Sequence, residues 1–159
     1  MARRNLGGVK RILATMPDER ERNCDPCIQF LLGWSCEGYL KTFLAANKMS
    51  DKELRLEIGH DLIEAFEVAT AKGLDYPEIG RLHIVIGHLA PGHLDMHWRY
   101  MPTNADGSER QFNLVWPSLA IPALDALDQA VWSWVQTDFG KTLAEQGLSP
   151  HPGWRPVLD

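Results

Sequence analysis

Residues 24–47 read CDPCIQFLLGWSCEGYLKTFLAAN, and this stretch decides the fold class. Asp25 carries an acceptor side chain suited to a helix N-cap. Pro26 follows at the first helical position, where a missing N–H costs nothing. Leu32, Cys36, Tyr39, Leu40 and Phe43 then recur at the spacing of one helix face. Asn47 suits the C-cap, so a helix is predicted from Pro26 to about Asn47. Gly33 and Gly38 fall inside it. Each is unfavourable by up to ~1 kcal/mol relative to Ala, which points to a neighbour packed close against them.

The same reading extends outward. Ser50-Asp51-Lys52-Glu53 has capping-box spacing and opens a new helical turn, which Gly59 interrupts. A second helix from His60 carries Leu62, Ile63, Phe66 and Ala69 on one face and ends at Gly73. A third begins at Asp75-Tyr76-Pro77-Glu78, with Ile79, Leu82, Ile86 and Leu89 as its apolar stripe. Its run His83-Ile84-Val85-Ile86 also fits a buried strand, and Pro91-Gly92 is expected to end it. Residues 93–117 lack a helical pattern. Phe112, Leu114 and Trp116 suggest an extended segment, and Asn104-Ala105-Asp106-Gly107 an exposed turn. A last long helix is expected from about Pro122 to Asp138, with Leu124, Leu127, Val131, Trp134 and Val135 as its stripe. The fold class expected is all-α. It is a four- to five-helix up-and-down bundle with a long irregular segment before the last helix. A basic N-terminal tail (1–22), which could also be a short helix, a helical domain (23–140) and a Pro-rich C-terminal tail (141–159) divide the chain.

A chain of 159 residues accommodates one domain with a proper core. Its 45% apolar and 23% charged residues are ordinary for a folded globular protein. No stretch approaches the ~20 apolar residues of a bilayer span. No apolar h-region follows Arg3, Arg4, Lys10 and Arg11, so a cytoplasmic protein without membrane contact is expected. Net charge is −5, with residues 1–22 at +3 and the remainder at −8. Such a balance gives no support for a large nucleic-acid footprint, although a basic end can touch nucleic acid or an acidic partner. Cys24, Cys27 and Cys36 are an odd set that argues against a disulfide framework.

Metal chemistry has two candidate patterns. His93-x3-His97 has a zinc-compatible spacing on a helix, but no convergent cysteine or carboxylate set accompanies it. Cys24-x2-Cys27 at a helix start resembles a redox pair, but no strand precedes it and no second ligand pair follows. Neither metal nor cofactor is therefore expected. Trp132 and Trp134 lie ~200° apart on a helix, so one of them is expected to mark a partner surface.

Cys36-Glu37-Gly38-Tyr39-Leu40-Lys41-Thr42-Phe43-Leu44, followed by Gly59-His60-Asp61-Leu62 and later by Arg99-Tyr100-Met101-Pro102, resembles the HEPN family. This is the higher eukaryotes and prokaryotes nucleotide-binding domain. The resemblance spans about residues 24–137. It implies a helical bundle, commonly a homodimer, that associates with RNA or a nucleotide in toxin–antitoxin or defence systems. It implies an antitoxin or a nucleotidyltransferase as partner. Asp61, Arg99 and Tyr100 become candidate ligand-binding residues.

Catalytic members of that family are metal-independent endoribonucleases with an Arg-x(4–6)-His motif. Arginine holds the scissile phosphate with its planar fork, and histidine moves a proton near neutral pH. Two pairs match the spacing here. Arg55 and His60 flank Gly59, a turn that would bring them together, whereas one continuous helix would part them by ~140°. Arg81 and His88 would share a helix face at ~10 Å of rise. Leu56 and Leu82 follow the two arginines where the family has a polar residue. A binding module is the first reading and the ribonuclease the second. A protein-interaction domain without a nucleic-acid role is the third. His60 is also expected as a helix-start residue whose ring bonds a backbone group.

Overall fold

The computed structural model describes residues 1–16, 18, 25–96, 106–108 and 114–145. Among these the chain is all-helical, without a strand. The helices are α1 (Ala2–Thr15), α2 (Pro26–Ala46), α3 (Asp51–Glu53, continued by a π-helical turn over Leu54–Ile58), α4 (Leu62–Ala71), α5 (Ile79–Leu94) and α6 (Pro117–Glu145). Helix α2 is the hub, packing against α1, α4, α5 and α6. Its face of Ile28, Leu32, Cys36, Leu40, Phe43 and Leu44 is buried in the common core. Each such side chain contributes about 1.5–3 kcal/mol by leaving water.

The expected caps are formed. The Asp25 side chain accepts from the backbone N–H groups of Cys27 and Ile28 at 2.7 and 3.2 Å. Ser50 and Glu53 close a reciprocal capping box at the start of α3. The Asp61 carboxylate accepts from Ile63 and Glu64 at 2.9 and 3.1 Å and thereby starts α4. Gln29, buried in α2, clamps the entry to α6. Its amide donates to the Val115 carbonyl at 2.8 Å and accepts from the Val115 N–H at 3.1 Å.

Several boundaries differ from the sequence expectation. The basic stretch read as a tail or a short helix contains α1, which buries Ala2, Leu6 and Val9. Gly38 lets α1 approach, since a Cβ there would lie 3.0 Å from Ala2 Cβ. Arg3 and Lys10 pair with Asp128 and Asp125 of α6, each at 2.7 Å. The run 83–86 is helix rather than strand, and α5 continues through Pro91 to Leu94. Pro91 is exposed, and the carbonyl it deprives belongs to Gly87, also exposed, so water can serve it. Likewise α6 begins at Pro117 and runs through the exposed Pro122 to Glu145. Of the extended segment and turn expected within 93–117, residues 97–105 and 109–113 lie outside the described residues. No described helix is long and apolar enough to cross a membrane.

Candidate functional site

Glu37 is the buried acid of α2, and three side chains from three elements converge on it. Lys41, one turn along the same helix, donates to Glu37 Oε1 at 2.7 Å. His60, between α3 and α4, places Nδ1 at 3.0 Å from Oε2 and 3.2 Å from Oε1. His93, near the end of α5, places Nε2 at 2.6 Å from Oε2. A carboxylate only accepts, so both imidazoles present a protonated nitrogen to it.

Two glycines make this convergence possible. The π-helical turn of α3 ends at Gly59, which adopts φ +55° and ψ −123°. That left-handed backbone is strained for other residues, and it delivers His60 to Glu37. Gly33 faces the His93 ring, and a Cβ there would lie 2.6 Å from His93 Nδ1. The absent side chain at 33 is therefore the space that the His93 ring occupies. Trp34 closes the group, with its ring edge-on to His60 and His93 at centroid separations of 5.4 and 5.5 Å. Its indole N–H is buried and has no hydrogen-bond partner among the described residues.

Burial pushes the Glu37 carboxyl up, but the hydrogen bonds from His93, Lys41 and His60 outweigh it and hold the group down at about 2. Glu37 is thus an anion at neutral pH, compensated by Lys41 and by the two imidazoles. Access is one-sided: the His60 and Lys41 side chains are 40% and 24% exposed, whereas Glu37 is 5% and His93 2% exposed. One nitrogen of each imidazole and one carboxylate oxygen lie within 4.8 Å of one another. Nearby, burial raises the Cys36 thiol far above its usual range, leaving it a core side chain rather than a nucleophile.

The residues singled out in the sequence fall into different places. His60 belongs to the cluster, and its ring meets a carboxylate rather than a backbone group. Arg55 is exposed on the π-helical turn and forms no hydrogen bond or ion pair with a described residue. Arg81 pairs with Glu78 at 3.1 Å, while His88 is half-buried on the same helix. Asp61 is engaged as the cap of α4. Arg99, Tyr100 and His97 lie outside the described residues, as does Cys24. His83 stacks on Phe66 at 5.5 Å. Trp132 receives Arg3 over its ring at 4.7 Å, and the more exposed Trp134 leans on Phe43.

Glu37 and Lys41 stand in the family-like stretch, but nothing local in the sequence marks them as a site. Glu37 stands 23 positions from His60 and 56 from His93, and no local spacing rule joins residues so far apart. Gly33 was the available signal, because an internal helix glycine announced something packed against it. Comparison with known proteins adds no assignment: no protein-family profile, curated protein or solved structure matches the chain.

Proposed function

We propose that the protein is a HEPN-like helical module that binds RNA or a nucleotide and acts beside a partner protein in a toxin–antitoxin or defence setting. One observation supports this reading. The two stretches that resemble the family, residues 36–44 and 59–62, meet in space: His60 of the second contacts Glu37 of the first, which also holds Lys41. A phosphate ligand would approach from the Lys41–His60 side, where an ammonium and a protonatable imidazole reach solvent. The nuclease alternative has no such geometric support, since His60 is directed at Glu37 and Arg55 is not part of the cluster.

The test is binding of a labelled oligoribonucleotide and of labelled adenosine triphosphate to the full chain, in excess chelator and across a salt series. Binding that weakens with salt, and weakens about tenfold further in Lys41→Ala, is the expected outcome. Absence of salt-sensitive binding to either probe by folded protein would overturn the proposal. Cleavage of the RNA in chelator, lost in His60→Ala, would convert the module into the nuclease.

A further inference from the structure

We infer that Glu37, His60 and His93 form a binding site for one divalent transition-metal ion, with Trp34 positioned to hydrogen-bond an oxygen ligand on that ion. This is independent of any nucleic-acid role. Three features carry the inference.

The first is the donor set. Two imidazole nitrogens and a carboxylate oxygen, mutually within 4.8 Å, can take three corners around one ion. Two atoms bound at about 2.0–2.1 Å to one tetrahedral metal stand roughly 3.3 Å apart, so the 2.6 and 3.0 Å separations from the carboxylate oxygen open slightly, while the two ring nitrogens start within 4.8 Å of each other. Two nitrogens with one carboxylate suit zinc, iron or cobalt rather than magnesium or calcium, which prefer oxygen.

The second is redundancy. A single buried carboxylate is neutralised by Lys41 alone. The fold nevertheless aims two further side chains at the same acid, one from the turn before α4 and one from α5, using a left-handed glycine at 59 and a bare helix position at 33 to do so. Lys41 sits mainly on Oε1, leaving Oε2 as the metal-facing atom; a hydrogen-bonded carboxylate oxygen opposite the ligating one is the usual support of a metal site.

The third is the buried indole N–H of Trp34, which has no partner among the described residues and whose ring lies against both imidazoles. A buried donor without an acceptor is unfavourable. A water or anionic oxygen on the ion would supply that acceptor and fill an open coordination position. The exchange balances: the ion takes the places of the protons on His60 Nδ1 and His93 Nε2. Each neutral imidazole then holds its single proton on its other nitrogen, and any imidazolium releases one proton to solvent.

The experiment uses Zn2+ and Co2+ alone, titrated into the chelator-stripped full chain against a chromogenic competitor near neutral pH. One ion per chain is expected, with affinity lowered about 100-fold by His60→Ala and by Glu37→Gln and about tenfold by Lys41→Met, and unchanged in His88→Ala. Co2+ should quench tryptophan emission, and Trp34→Phe should remove that quench. His60 is partly exposed, so His60→Ala keeps a folded comparator if the Glu37 variant unfolds. Two results would overturn the site: no stoichiometric binding by the folded parent, or binding equally tight in His60→Ala, which would put the ion elsewhere.

Discussion

Two regions of the molecule set cations against carboxylates at the same distance and in different surroundings. Lys41 meets Glu37 at 2.7 Å inside the bundle, and Lys10 meets Asp125 at 2.7 Å on its surface, where α1 crosses α6. The Glu37 side chain is 5% exposed, whereas Lys10 and Asp125 are 46% and 39% exposed. Water screens the second pair and the entropy of holding two long side chains offsets most of its attraction. Inside, the Glu37 carboxylate is itself shielded from water although Lys41 and His60 reach solvent, so a lost partner there costs more than one on the surface. Burial, rather than separation, decides what an ion pair contributes.

The largest expected effect follows at Glu37. Glu37→Ala should destabilise the protein by about 3–5 kcal/mol in urea unfolding, because Lys41 and His93 lose their common partner. A loss below ~1 kcal/mol would put the cluster in the same class as the surface pairs. Acid should act on the same group. Its carboxyl is held at about 2 when folded, against 4.5 for the ordinary value. The unfolded chain therefore binds the proton first, and the stabilisation is whole above the ordinary value. It is lost as pH falls through that window, by about 3 kcal/mol at most. In Glu37→Gln the decline attributable to this group should vanish.

A smaller effect separates two glycines that share a residue type but not an environment. Gly33→Ala places a methyl 2.6 Å from His93 Nδ1, so the His93 ring or α5 must shift. Overpacking of that kind costs about 1–3 kcal/mol and exceeds the ~1 kcal/mol gained in helix propensity. Gly87→Ala meets nothing within 4 Å and should stabilise α5 by up to ~1 kcal/mol. Equal responses in thermal unfolding would refute the account of Gly33 as the space for His93.

What was legible in the sequence was local. Asp25 and Ser50 announced their helices because a cap acts on N–H groups two or three residues away. The core stripe of α2 was equally plain, since one helix face repeats every turn. Helix α1 was less plain, a short helix being only the alternative to a tail, because Gly7 and Gly8 weaken its propensity and only Ala2, Leu6 and Val9 are buried; it is held by packing on α2. Pro91 and Pro122 were read as a stop and a start, yet each lies on a solvent face where the freed carbonyl can be hydrated. The Glu37 site needed tertiary structure outright. An acid four residues before a lysine looks like an ordinary helix pair until His60 arrives from the turn before α4 and His93 from α5.

The smallest expected effect lies on the surface of α1. Arg3→Ala and Lys10→Ala should each reduce stability by no more than ~1 kcal/mol, and high salt should remove most of the Lys10 contribution. Arg3 should retain slightly more, because its guanidinium lies 4.7 Å from the Trp132 ring centre and also binds Asp128. A cation over an aromatic face contributes about 0.5–1 kcal/mol at exposed sites. A double-mutant cycle between Lys10 and Asp125, run in urea at low and high salt, isolates the pair. A coupling near that of a buried pair, unmoved by salt, would mean that α1 screens these charges from water as thoroughly as the bundle screens Glu37, and the contrast between the two regions would fall.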